Sequence, residues 1–338
     1  MAKIAYNICV VTVTYGDRWE FLEQVIKEVL TLDRVANLIV VDNASAYNVE
    51  AKCREMRDAR IKVITQQQNK GSAGGYKIGL EYFENQTQAD FVWLLDDDNL
   101  PNEDALTKLM DEWHSISGEE DTIALFSLRT DRKQHINIAR GVDSRRYYLI
   151  PNGFMGFNLF RIPLNQFLKI RDKFIRLKPF KRKAIMPYVP YGGLFFHKKM
   201  ISKIGYPNER FFLYADDSEY TYRITERGGT IWLIPGSKIT DIDRSIGTKY
   251  KHRFWKSIFL DLWSFRTYYQ VRNSVFFYSR ITVSNKITYN INKCLYLYIQ
   301  YLISLLSSKQ ENYKKLLKAV NDGLSGNLGL ADPEDLKS

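Results

Sequence analysis

The sequence predicts an α/β protein: a Rossmann-like, mostly parallel central sheet flanked by helices, with a C-terminal helical appendage. Three observations predict it. Strand and helix patterns alternate over the first 130 residues, as in sheets whose parallel strands are joined by crossover helices. Polar residues (Tyr15, Asp42, Asn69 and Asp96) fall at or shortly after strand ends, where such sheets bind ligands. Beyond Tyr250 the chain turns helical, basic and aromatic.

The elements follow in order. Ile8–Thr14 is a continuous apolar run and reads as a strand. Leu22, Val25, Ile26, Val29 and Leu30 recur at helical spacing. Leu38–Val41 is a second strand, ending at Asp42-Asn43, and Ile61–Ile64 a third, followed by the polar loop Gln66–Gly75. Tyr76, Leu80 and Phe83 mark a helix. Phe91–Leu95 is a fourth strand, and Leu106, Leu109, Met110 and Trp113 mark the next helix. Residues 130–215 are less regular and rich in Gly, Pro and aromatics. The expected organisation is a sheet domain over 1–243, a basic aromatic helical region over 244–322 and a loose tail over 323–338.

Composition narrows the function classes. The three cysteines, Cys9, Cys53 and Cys294, have no paired spacing, which argues for a reducing compartment and against a disulfide framework or a Cys-based metal site. The N-terminus carries no charged-then-apolar signal pattern. The longest apolar candidate, Cys294–Leu306, has 13 residues and contains Gln300 and Ser304, too short and polar for a membrane span. A cytoplasmic protein is therefore expected. The net charge of +11 is uneven: Arg161 to Arg210 holds 13 Lys/Arg against Asp172 and Glu209, and Arg244 to Lys318 holds 14 against Asp261 and Glu311. Such asymmetry points to an anionic partner, either nucleic acid or the phosphates of a membrane surface. Nucleic acid is disfavoured, because no nucleic-acid motif is present and carboxylates line the expected cleft.

Two motifs carry chemistry. In Phe91–Pro101, a strand runs into three consecutive carboxylates, Asp96, Asp97 and Asp98. Like charges so placed repel and raise one another's pKa, unless a divalent cation joins them. Hard oxygen ligands suit Mg²⁺ or Mn²⁺, ions that usually also hold substrate phosphates. A solvated turn with Asp capping the next helix is the plainer reading. No dinucleotide fingerprint follows the first strand (Thr14–Trp19), and there is no phosphate-binding Gly-x-x-x-x-Gly-Lys loop. The loop Asn69–Gly75 leads into a helix N-terminus, which favours anionic or polar ligands. The second motif is Tyr214–Arg223, with Asp216 and Asp217 opening a helix. They read either as caps or, for Asp217 beside the aromatic stretch Gly192–Phe196, as a base able to take a proton from a hydroxyl.

In this order and spacing, the pieces resemble glycosyltransferase family 2, with the GT-A fold, over about residues 6–245. They are Val11–Tyr15, Val41–Ser45, Asn69–Gly71, Leu95–Pro101, Tyr191–Phe196 and the Asp216-Asp217-x-Glu219 helix start. The segment Phe265–Asn273 is similar to one in members that extend bacterial polysaccharides, and the triple Asp is similar to galactofuranosyltransferases, with rhamnosyltransferases close by. The resemblance implies an inverting transfer from a nucleotide sugar, with UDP-galactofuranose the best guess and dTDP-rhamnose the alternative. Thr14, Tyr15, Asp42, Asn69 and Gly71 would hold the nucleoside. Asp96 and Asp98 would hold Mn²⁺ or Mg²⁺, with Asp97 supporting them or touching the donor. Asp217 would be the general base. Tyr191, Gly192, Gly193, Phe195 and Asp216 would line the acceptor side, the two glycines allowing close approach of a ligand. Where galactofuranosyltransferases often supply a His ligand, this chain has Lys238–Asp243, so Asp241 is the expected third ligand and His252 a distant candidate. The implied acceptor is a polyprenyl-diphosphate-linked glycan, as in O-antigen, capsule or cell-wall synthesis. The C-terminal helices, with Leu295, Ile299, Leu302 and Leu306 at helical spacing, would then lie peripherally on the cytoplasmic face of the membrane or against a second subunit. A non-catalytic glycan- or lipid-binding protein on the same fold, and a nucleotidyltransferase, are the rivals.

Overall fold

A computed structural model describes residues 6–174, 178–243 and 255–336. His252 lies outside the described residues. In chain order the first elements are β1 (Ile8–Thr14), α1 (Trp19–Thr31), β2 (Val35–Asp42), α2 (Val49–Glu55), β3 (Ile61–Thr65), α3 (Gly71–Gln86) and β4 (Phe91–Asp96). Then come β5 (Asn99–Pro101), α4 (Ala105–Ser115), β6 (Ile123–Arg129), α5 (Lys133–Ala139), α6 (Ile162–Phe174), β7 (Ala184–Met186) and β8 (Leu194–His197). The remainder is α7 (Lys199–Ile204), α8 (Asp216–Glu226), β9 (Thr230–Asp241), α9 (Ile258–Asp261), α10 (Phe265–Ile281), α11 (Lys286–Leu306), α12 (Gln310–Ser325) and α13 (Pro333–Leu336). All four expected strands and the three expected helices of the first 115 residues are present.

The chain forms two compact units. The first comprises residues 1–144, 179–209 and 216–244; the second comprises 145–178, 210–215 and 245–338. The second unit thus takes in 145–178 and 210–215 along with the residues after 244.

In the first unit one sheet runs in the order β3-β2-β1-β4-β8-β6-β9-β5, with β7 also on β9. β3, β2, β1 and β4 are parallel, as are β6 and β9. β8 lies antiparallel between β4 and β6. The sheet is therefore mixed: β8 is reached by a loop, not a crossover helix, and need not run parallel. β1, β4 and β6 are apolar almost throughout because helices cover both faces of such a sheet. Leu22, Val25, Ile26 and Val29 of α1 and Leu106, Leu109 and Met110 of α4 share its core with Phe91, Trp93 and Phe195. Strand order reverses between β1 and β4, and Val13 stands opposite Asp96 at that point. This switch point is where open α/β sheets place ligands.

The second unit is helical. Its core gathers Phe154, Trp263, Tyr268, Tyr269, Val271, Val275, Tyr289, Tyr296, Ile303, Leu316 and Val320, with Phe212, Leu213 and Tyr214 packed against it. Arg272 and Asn273 are buried in α10. The Asn273 amide donates to the carbonyls of Phe211 at 2.8 Å, Leu213 at 2.7 Å and Tyr214 at 3.0 Å. That segment has left-handed backbone at Phe212, Tyr214 and Ala215, which no ladder satisfies, so side-chain donors take over its carbonyls. The tail makes contacts with the helices. Arg272 donates to the Gly329 carbonyl at 2.7 Å, Trp263 Nε1 to that of Asp335 at 3.2 Å, and Lys318 pairs with Asp335. These polar contacts act together with Ala331 and Leu336, which pack against the helical core.

Candidate active site

At the carboxyl ends of β1, β4, β6 and β9, acidic residues converge. Asp96 Oδ1 accepts from the Tyr76 hydroxyl of α3 at 2.9 Å, and its Oδ2 faces Arg129 Nη1 at 3.3 Å. Asp97 is buried; its carboxylate accepts from Thr14 Oγ1 at 2.8 Å and Arg18 Nε at 2.9 Å. Arg18 also pairs with Asp98 at 2.9 Å and with Asp243 at 2.7 Å. Asn99 Nδ2 donates to Asp98 at 3.0 Å and Asp241 at 2.8 Å. Arg129, fully buried at the end of β6, also pairs with Asp241.

Charge decides what this cluster can do. Five carboxylates face two buried or half-buried guanidiniums. Burial, then Asp96, Asp97 and Asp241, push Asp98 up to about 7. Burial raises Asp97 to about 6 even against Arg18 and Thr14. Among the described residues no three carboxylates, histidines or cysteines are set to hold a metal ion as they stand. The donor set nonetheless fits a hard divalent cation in chemistry and charge: Asp96 and Asp98 are partly exposed oxygens with negative charge to spare. Asp241, the expected third ligand, has both oxygens engaged, one by Asn99 and the other by Arg129 and Arg132.

Asp216 and Asp217 open α8. Asp216 is buried and accepts from Ser72 Oγ of α3 at 2.7 Å; burial, then Asp217, raise it to about 8. Asp217 is half-buried. Its Oδ1 accepts from the Ser218 N–H at 2.6 Å and from Ser218 Oγ at 3.2 Å, and its Oδ2 accepts no hydrogen bond among the described residues. Burial raises Asp217 to about 6; Ser218 lowers it, Asp96 raises it and Arg129 lowers it, so the two acidic groups share one field. Tyr191 is buried, its ring 4.2 Å from that of Tyr76.

Other expected residues take structural roles. Phe195 is fully buried, stacked on Phe91 at 4.9 Å, and offers no face to a ligand. Gly192 does allow a close approach, but of the protein's own groups: a Cβ there would lie 1.9 Å from Asn99 Oδ1 and 2.5 Å from Asp96 Oδ2. Gly193 has φ +105° and a Cβ there would meet Ile239 at 2.8 Å, so Gly192 makes room for the carboxylate cluster and Gly193 for the apolar packing beneath it. Asn69 Oδ1 accepts from Asn43 at 3.0 Å and from the Gly71 N–H at 2.8 Å, locking the loop that opens α3. Asp42 is buried and accepts from the Ser45 N–H at 2.8 Å. It borders an open cleft of about 470 Å³ that Tyr47, Thr65 and Gln66 also line. Tyr15 is exposed. Sequence reasoning missed Arg18, Arg129, Asn99, Ser72 and the site role of Tyr76; a charged residue closing the apolar run Ile123–Leu128 was the signal for Arg129.

Comparison with known proteins follows this geometry. No sequence among the curated proteins matches the chain. A structure of GalNAc-T7 with UDP, GalNAc and Mn²⁺ is similar over 81% of this chain and 48% of its own, at 14% identity and TM-score 0.53. A mannosyltransferase of Pyrobaculum calidifontis with GDP-Man and Mn²⁺ is similar over 98% and 78%, at 12% identity and TM-score 0.53. The chain thus spans about half the length of GalNAc-T7, and at these identities the likeness is one of fold. The family described as Glycosyl transferase family 2 matches residues 9–184, just over half of the chain, a span that includes Arg18, Asp96, Asp97, Asp98 and Arg129 of the cluster; this protein belongs to that glycosyltransferase family.

Proposed function

We propose that the protein transfers a sugar, with inversion, from a nucleotide donor to a hydroxyl of a lipid-linked glycan. The observation that carries this reading is the pairing of two differently placed acidic groups, one at the carboxyl end of β4 and one at the start of α8, that share one field. One, around Asp96 and Asp98, is rich in negative charge. The other, Asp217, has an oxygen free to take a proton. Such divergent surroundings separate a charge-stabilising role from a base. A non-catalytic binding protein needs no such base.

Asp217 Oδ2 takes the proton of the acceptor hydroxyl. The acceptor oxygen forms its bond to the anomeric carbon as the bond to the donor's diphosphate oxygen breaks, and the nucleoside diphosphate leaves with that electron pair. One displacement inverts the carbon and needs no enzyme nucleophile. A divalent cation, Mn²⁺ or Mg²⁺, held by Asp96 and Asp98 would neutralise charge on the leaving diphosphate. The solved relatives named above are described with UDP or GDP-Man and Mn²⁺, which supports this choice. Arg18 and Arg129 hold the carboxylates in place and oppose the rise in their pKa. The cleft beside Asp42 takes the base and ribose, with Tyr15 at its margin. Tyr191 and Asp216 border the acceptor.

UDP-galactofuranose is the first donor to test, with dTDP-rhamnose second, and a polyprenyl-diphosphate-linked glycan at the membrane surface is the acceptor class. A thermal-shift panel of nucleotide sugars with Mn²⁺, with and without chelator, should give a chelator-sensitive stabilisation with one donor. Asp217→Asn should keep that shift and lose turnover by about a hundredfold or more. No shift with any donor in a folded sample, or near-normal turnover in the variant, would sink the reading.

A further inference from the structure

Two helices of the second unit present apolar residues to the outside. None of residues 162–171 of α6 is buried. Phe160, just before the helix, and Leu164, Phe167 and Ile170 within it recur at i, i+4, i+7 and i+10, one stripe of a 3.6-residue period. All four are exposed, Phe167 by 63%. α11 is amphipathic in the inverse sense. It buries Asn292, Gln300 and Ser304 together with Tyr289, Tyr296 and Ile303. It exposes Ile287, Ile291, Tyr298, Leu302, Leu305 and Leu306, the first by 74% and the last by 80%. A helix that keeps amides inside and leucines outside is built for an apolar exterior. The start of α6 is rooted on α11: the Leu159 N–H donates to Asn292 Oδ1 at 2.9 Å, and Asn292 Nδ2 to the Asn152 carbonyl at 2.8 Å.

Charge selects the occupant. Arg161, Lys169 and Arg171 flank the α6 stripe, and the only charged residues of α11 are Lys286 and Lys293. A two-fold contact with a second copy would set this basic surface against itself. No helix among the described residues is long and apolar enough to cross a membrane. An apolar face edged with cations matches an anionic bilayer surface, where leucines and aromatics enter the acyl boundary and Lys/Arg meet headgroup phosphates.

We propose that α6 and the outward face of α11 form the membrane-docking surface of this protein, binding anionic phospholipid. It deepens the membrane-surface reading above, and its test reads vesicle binding without turnover, so its failure leaves the donor and base assignments standing. The full chain should co-sediment with phosphatidylglycerol-containing vesicles and poorly with phosphatidylcholine alone. Phe167→Glu with Ile170→Glu should weaken that partitioning by about tenfold or more, with the thermal midpoint unchanged because both side chains are exposed. Should the midpoint drop, Lys169→Glu with Arg171→Glu provides the second variant, with the same loss expected. Wild-type protein remaining in the supernatant, or variants that bind as well as wild type, would overturn the proposal. So would a concentration-dependent dimer that the same substitutions break, which would assign the surface to a second copy.

Discussion

Asp217 reaches about 6 chiefly because it is buried, with Asp96 adding to the rise and Ser218 opposing it. A base works deprotonated, so its activity is present above its pKa and lost as pH falls through it. With metal and donor saturating, turnover should hold above about pH 6 and fall toward tenfold per unit below it. An aspartate at its ordinary value would hold turnover down to about pH 4. A pH–rate profile separates the two, and a flat profile through pH 5 would remove Asp217 from the role. The acidic residues of the site were legible because a carboxylate beside an apolar run is costly and so conspicuous. The arginines were not. Arg129 meets Asp96 and Asp241 across 33 and 112 residues of chain, and only the fold brings them opposite one another. The glycines were legible as permitting close approach, but not what approaches: Asn99 and Asp96, rather than a sugar.

At the scale of elements, spacing identified β1 to β4, α1, α3 and α4. β6 went unnamed, since a short apolar run such as Ile123–Leu128 serves a buried strand or helix equally. α11 shows the other limit. Its apolar stripe was plain in the sequence, but spacing tells which face is apolar, not which face meets the protein. The segment Phe211–Tyr214 shows a third kind of dependence, because its Leu213 and Tyr214 carbonyls are held by one amide of α10. Asn273→Ala should therefore lower stability by roughly 1–3 kcal/mol, the cost of leaving buried carbonyls unpaired, whereas a truncated surface asparagine would cost little. Denaturant unfolding measures it; an unchanged midpoint would mean that water replaces the amide.

The whole molecule divides its labour by composition. Acids gather at the sheet edge in the first unit, while cations and outward apolar residues mark α6 and α11 in the second. Net charge alone admits nucleic acid as well as lipid; the proposal of a lipid surface rests on the arrangement of the apolar faces of α6 and α11. The tail has the polar composition of a free end, and its contacts come from residues distant in sequence, such as Arg272 and Trp263.

The chain also crosses between its two units five times, and this limits how it can be taken apart. A polypeptide cut after Arg244 would keep Phe154, Phe212, Leu213 and Tyr214 yet lose the helices they pack on. Apolar surface stripped of its partner promotes aggregation. Such a fragment should be recovered insoluble, or be trimmed by protease within 145–178, rather than survive as a minimal enzyme. For genetic dissection, the two halves behave as interleaved pages rather than beads on a string.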